Sequence, residues 1–182
     1  MRPGGQARCI TVSSRLGRIT KVGKEWRPQF LSATLQVEEL SRLVQRFLDA
    51  VREEDCIGQG WPTHVRESAL SCHEHCLAWA NVQCCAMYSP ISQAYSVSKV
   101  AVNALNRVMA RSMASVDTAA GVPMCHYYAC CPGWVQTAMG GPDAPKTIEE
   151  GADTPIWLCT TPLSGLINGG FYGERQRQGK QY

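Results

Sequence analysis

Hydrophobic and polar positions alternate along this chain in two rhythms, one suited to strands and one to helices. Arg8 to Val12 (Arg-Cys-Ile-Thr-Val) reads as a short strand that runs straight into Ser13 and Ser14. Leu40, Leu43, Val44, Phe47 and Val51 then fall at helical spacing, and Gly58 to Pro62 breaks the pattern. From Val65 to Gln93 no period is legible. It returns at Ala94, where Val97, Val100, Ala101, Leu105, Val108 and Met109 predict a helix of about four turns with one buried face. Cys125 to Cys130 predicts a second strand, ended by Pro132 and Gly133. Thr147 and Glu150 are spaced as a capping box, opening a helix towards Leu158. Gly169 to Tyr172 predicts a third strand. Strand, helix, strand, helix, strand implies an α/β domain with a parallel sheet.

Composition narrows the class without changing the fold. The 182 residues suit one domain, and 45% hydrophobic with 18% charged residues is ordinary for a soluble globular protein. A net charge of +3 is too small and too scattered to imply nucleic acid or an acidic membrane surface. The nearest approach to a basic cluster, Arg175 to Lys180, reads as a solvated terminus. The first eight residues lack the apolar run of a signal peptide, and no stretch is long enough to cross a bilayer. The ten cysteines are therefore expected to be reduced thiols in a cytoplasmic protein. Cys9, Cys125, Cys130 and Cys131, in or beside strand-like runs, are expected to behave as small buried apolar residues.

Tyr95-Ser-Val-Ser-Lys99 carries the chemistry. Positions i and i+4 share a helix face, so the phenol and the ammonium come within reach of one another. A nearby cation favours the phenolate and makes a tyrosine, otherwise inert at neutral pH, a competent proton donor and acceptor. A Tyr-x-x-x-Lys pattern alone is weak, because an exposed aromatic beside a solvated lysine gives the same spacing. Its neighbours make it specific: a strand ending in Ser13-Ser14 upstream, and Cys131-Pro-Gly-Trp-Val-Gln-Thr137 downstream.

In that order these motifs resemble the short-chain dehydrogenase/reductase family. Gly60-Trp-Pro-Thr63, Ala94 to Lys99, Cys130 to Trp134, Glu149 to Pro155 and Gly169-Gly-Phe171 resemble its monomeric carbonyl-reductase branch, with neomenthol dehydrogenase and salutaridine reductase. The resemblance implies the carboxyl-terminal part of a Rossmann-like doubly wound parallel sheet. It implies NADP-dependent reduction of a ketone or aldehyde to an alcohol, on a small-molecule carbonyl substrate, by a monomer. It gives Ser14 a hydrogen bond to the substrate carbonyl, and Tyr95 the proton donated to the developing alkoxide. Lys99 would lower the Tyr95 pKa and hold the nicotinamide ribose, so Tyr95 and Lys99 both face NADP(H). Pro132, Val135 and Thr137 would line the nicotinamide and its phosphates, and Trp134 would wall the substrate pocket or else pack in the core.

The chain departs from the family in two respects. It carries no Gly-rich dinucleotide fingerprint, the turn that seats the pyrophosphate on a helix amino terminus. Residues 1–182 are thus expected to form a single partial domain lacking the Gly-rich cofactor-binding half, with a catalytically inactive fragment as the alternative reading. Secondly, Pro28 to Pro62 matches a helical insertion of the branch, whereas Val65 to Gln93 has no counterpart. That segment is expected to be an unstructured insertion, hypothetically an intron translated in frame. Its Cys72-His-Glu-His-Cys76 cluster raises a metal site, but the spacing is not that of structural zinc, and no metal is expected.

Overall fold

The computed structural model describes residues 7–61, 90–120 and 125–179, apart from the side chains of residues 90–92 and 115–120. Strand β1 (Ala7–Val12) pairs in parallel with β2 (Cys125–Cys131), and β2 pairs in parallel with β3 (Phe171–Gly173). A short β4 (Gln176–Arg177) turns back antiparallel on β3, giving the order β1-β2-β3-β4. The hairpin turn uses Glu174 and Arg175 at positive φ, +54° and +56°.

Helices cover both faces of the sheet. On one face lies α4 (Ile148–Thr160), where Tyr128, Cys130 and Tyr172 from the strands meet Leu158 and Leu166. Arg8 also donates to the Leu158 carbonyl at 2.6 Å, tying β1 to this helix. The expected capping box is present: Glu150 N–H donates to the Thr147 hydroxyl at 3.2 Å, and Thr147 N–H donates to the Glu150 carboxylate at 2.8 Å. Pro155 sits inside α4, and the carbonyl freed one turn back belongs to Gly151.

Helix α3 (Pro90–Ala120) packs on the strands and on the 28–62 insertion. Its 31 residues exceed the expected four turns, because nothing between Ile91 and Ala120 is proline or glycine to stop it. It also starts at Pro90, so the last four residues of the expected insertion are helical; residues 65–89 of that insertion, the Cys72–Cys76 cluster included, lie outside the described residues. Val97, Val100, Ala104 and Val108 form the buried stripe, whereas Leu105, expected in it, is exposed.

The insertion supplies the other half of that core. Helices α1 (Arg27–Leu31) and α2 (Val37–Arg52) bring Phe30, Leu40, Leu43, Phe47 and Ala50 against the α3 stripe. Trp61 closes it, only 2% exposed, stacked on Trp26 at 4.3 Å and edge-on to Phe47 at 5.2 Å. Aromatic contacts of this kind combine large apolar burial with a preferred geometry.

All six described cysteines are thiols. Cys130 and Cys131 are buried as expected, but Cys9 is exposed and Cys125 half-buried, which corrects the expectation for those two. Cys9 points from the strand face away from the α4 core, since side chains alternate along β1. None of the helices among the described residues is long and apolar enough to cross a membrane.

Candidate active site

Parallel pairing fixes where the chemistry can assemble. Val12 is opposite Cys130 in the register, so Ser13-Ser14 and Cys131-Pro132 leave neighbouring strands at the same end of the sheet. Ser13 N–H donates to the Cys130 carbonyl at 2.7 Å and carries the ladder one step past β1. Ser14 then caps a 3-10 turn (Arg15–Gly17), its Oγ accepting from Leu16 N–H at 3.1 Å.

Helix α3 docks on this turn by an unusually close approach. A Cβ on Gly17 would lie 2.8 Å from the Lys99 carbonyl oxygen and 2.7 Å from Asn103 Nδ2, so only glycine fits there. The Asn103 amide donates to the Gly17 carbonyl at 3.0 Å and is buried. Tyr95, Lys99 and Asn103 are each one turn apart, so this face of α3 confronts the turn that carries Ser14.

Lys99 bridges the two elements. Its ammonium donates to the Val12 carbonyl at 3.3 Å and lies 5.5 Å from the centre of the Tyr95 ring. Tyr95 and Lys99 are both half-buried, open enough for a ligand to reach. An ammonium has three donors, and Val12 takes one of them.

The loop after β2 is held by its own hydrogen bonds. Gly133 adopts φ +89°, with its N–H towards the Cys131 sulfur at 3.4 Å. Lys146 crosses it: a Cβ on Gly133 would meet the Lys146 side chain at 2.9 Å. Lys146 N–H donates to the Trp134 carbonyl at 3.2 Å, and Gln136 N–H donates to the Lys146 carbonyl at 2.9 Å. Val135 packs its methyls on Gly151, where an added Cβ would come within 2.5 Å. The Thr137 hydroxyl donates to the Val135 carbonyl at 3.3 Å and accepts from Gly140 N–H at 3.0 Å, so it is engaged in the loop's own turn. Trp134 is not a core residue: it is 45% exposed, and its indole N–H donates to the Gly140 carbonyl at 2.7 Å.

One carboxylate joins three parts of the site. Glu174, in the β3–β4 turn, accepts from Arg15 at 2.7 Å and faces Lys146 at 3.7 Å. The hydrogen bond and charge of Arg15, then the charge of Lys146, hold the Glu174 carboxyl below the usual glutamate range. Arg15 directly follows Ser14, and Lys146 overlies Gly133. Asn103, Gly17 and Glu174 were not found by reading motifs. Asn103 had a signal, since it continues the Tyr95–Lys99 stripe by one more turn; Glu174 had none, because its partners are distant in sequence.

No family model matches the sequence. It is similar to curated NADPH carbonyl reductases: 31% identical over 162 residues to carbonyl reductase [NADPH] 1 of Oryctolagus cuniculus, covering 89% of this chain and 47% of that one. The Homo sapiens counterpart is 30% identical over 159 residues, covering 86% of this chain and 46% of its own. The chain thus spans about half the length of these relatives. In fold it matches salutaridine reductase from Papaver somniferum, with a TM-score of 0.65 over 92% of this chain and 45% of that one at 23% identity. The motif order and the relatives agree: the sequence is similar to the carbonyl reductases of the short-chain dehydrogenase/reductase family, and it shares the fold of salutaridine reductase over about half of that chain.

Proposed function

We propose that this chain carries the proton-transfer end of an NADPH-dependent carbonyl reductase, acting on a small-molecule ketone or aldehyde. The observation that carries the reading is Lys99, placed between the Tyr95 ring and the Val12 carbonyl at the strand ends where Ser14 and Pro132 emerge. Ser14 orients the substrate carbonyl, using the hydroxyl now paired with Leu16 N–H. Tyr95 donates its proton to the oxygen as negative charge develops there, where a positioned donor is most effective.

The donor set fits the nicotinamide ribose end of NADP(H). Lys99 keeps ammonium donors beyond the one on Val12, and Pro132, Val135 and Thr137 lie along a braced loop that leaves β2 at the same end of the sheet. When bound, the cofactor supplies the hydride, while the protein positions and polarises. The insertion helices α1 and α2 cover one side of α3, which supports a monomer like the branch it resembles.

Stopped-flow or steady-state reduction of a simple ketone with NADPH tests the reading. Tyr95→Phe should lower turnover by about 10²–10⁴-fold, the range for a positioned general acid, with NADPH affinity nearly unchanged. Equal turnover of Tyr95→Phe and the parent would refute it.

A further inference from the structure

Arg175, Gln176 and Arg177 are exposed, as the sequence reading had it, but they belong to a hairpin and are not a loose tail. Arg175 pairs with Asp153 through Nε at 2.9 and 3.1 Å, β4 pairs with β3, and Arg177 lines a cleft of about 450 Å³. The cleft runs between α3, which contributes Arg107, Ala110, Arg111 and Ala114, and the segments flanking β3 and β4. It lies away from the Tyr95–Lys99 site. Arg107 is eight residues beyond Lys99, about 12 Å along the helix axis, towards the opposite end of the parallel strands.

Among the described residues, three that carry guanidinium groups line this cleft and none that carries a carboxylate does. Two of them are held in place: Arg107 donates to the Phe30 carbonyl at 3.0 Å, and Arg111 to the Leu35 carbonyl at 2.7 Å. Arg107 and Arg111 are one turn apart, a like-charge spacing that disfavours the helix. Burial, then the charge of Arg111, push the Arg107 guanidinium down from its usual range. The neutral polar groups of the wall are already used. The Asn168 amide is bonded to Ala110 and Tyr127, and the Gln178 amide to Gly173 and Gln176. Gly169 closes the wall onto α3, where an added Cβ would meet Ala110 at 3.2 Å.

We propose that the cleft framed by Arg107, Arg111 and Arg177 is a second ligand site, which takes a small phosphate-bearing polyanion of pyrophosphate size. Its volume suits a small ligand. Guanidinium forks match phosphate oxygens and add charge-assisted hydrogen bonds. A bound polyanion relieves the repulsion between Arg107 and Arg111.

Calorimetric titration of the 182-residue chain with inorganic pyrophosphate at low ionic strength, with citrate in a parallel arm, tests this. One saturable site is expected, preferring pyrophosphate to citrate. Arg177→Gln should weaken it by about tenfold, the scale of one lost charge-assisted contact. Ala114→Glu, an exposed position that brings a carboxylate into the cleft, should abolish it, with circular dichroism unchanged in both variants. Absence of saturable binding, binding indifferent to both substitutions, or equal affinity for citrate would each overturn the assignment. Ketone reduction is not a readout here, so the outcome is separate from that of the reductase reading.

Discussion

Lys99 on α3 and Val12 at the end of β1 are 87 residues apart in sequence, yet the ammonium of one rests 3.3 Å from the carbonyl of the other. A charged donor is thereby anchored to the strand that delivers Ser14. Lys99→Met keeps the aliphatic stem and removes the donor. We expect it to lower stability by about 1 kcal/mol, below the usual range for a charged hydrogen bond because the contact is solvent-exposed. Urea unfolding followed by circular dichroism measures this, and an unchanged midpoint would show that the bond is not formed in solution.

Trp61 should be the most costly single truncation in the insertion. It is buried against Trp26 and Phe47, and Trp61→Ala removes both contacts and leaves a cavity. A loss of about 3–5 kcal/mol follows, measured by denaturant midpoint, while Ile57→Ala, at 65% exposure, should change little.

Thr147→Ala should cost about 1 kcal/mol through loss of the α4 cap, and Thr147→Ser should restore most of it. The hydroxyl is the acceptor for Glu150 N–H, so a serine serves equally. Thermal unfolding of the three proteins orders them directly.

Acid should release the Glu174 link. Its folded carboxyl titrates below the usual glutamate range, so as pH falls the unfolded chain takes up the proton first. The contribution is complete above about pH 4.5 and is lost as pH drops through the lower folded value. Glu174→Gln should therefore flatten the acid limb of a plot of Tm against pH. An acid limb of the same slope would show that the network with Arg15 and Lys146 is not linked to folding.

Cys130 should resist alkylation in the native state. Burial, followed by the neighbouring Cys131 and Cys159, pushes its thiol up to about 12, and the thiolate is the reactive form. Iodoacetamide at pH 8 should label the exposed Cys9 and Cys159 and spare Cys130, as read by peptide mass mapping.

Local signals carried the elements that the sequence revealed. The Thr147–Glu150 box, the Tyr95–Lys99 spacing and the Arg8–Val12 and Cys125–Cys130 runs depend on residues within a turn or two of each other. Helix α3 was read too short because the apolar stripe weakens after Met109, although no residue there interrupts a helix. Hairpin β4 was missed because Glu174 and Arg175, both at positive φ, are not the residues that usually announce such a turn. Trp134 was ambiguous between pocket wall and core, since only the tertiary surroundings decide which side of the loop a tryptophan takes. Glu174 was invisible for the same reason: its partners, Arg15 and Lys146, come from two distant segments.

Gly17 bears on how this geometry can vary. The turn carrying Ser14 and the helix carrying Tyr95 meet where there is no room for one methyl group. Any larger residue must push α3 outward, and the displacement reaches the phenol and the ammonium together, because both ride on the same rigid rod. The separation between the Ser14 turn and the helix face that carries Tyr95 and Lys99 is thus set by a missing side chain, and changes in the surrounding loops leave it untouched.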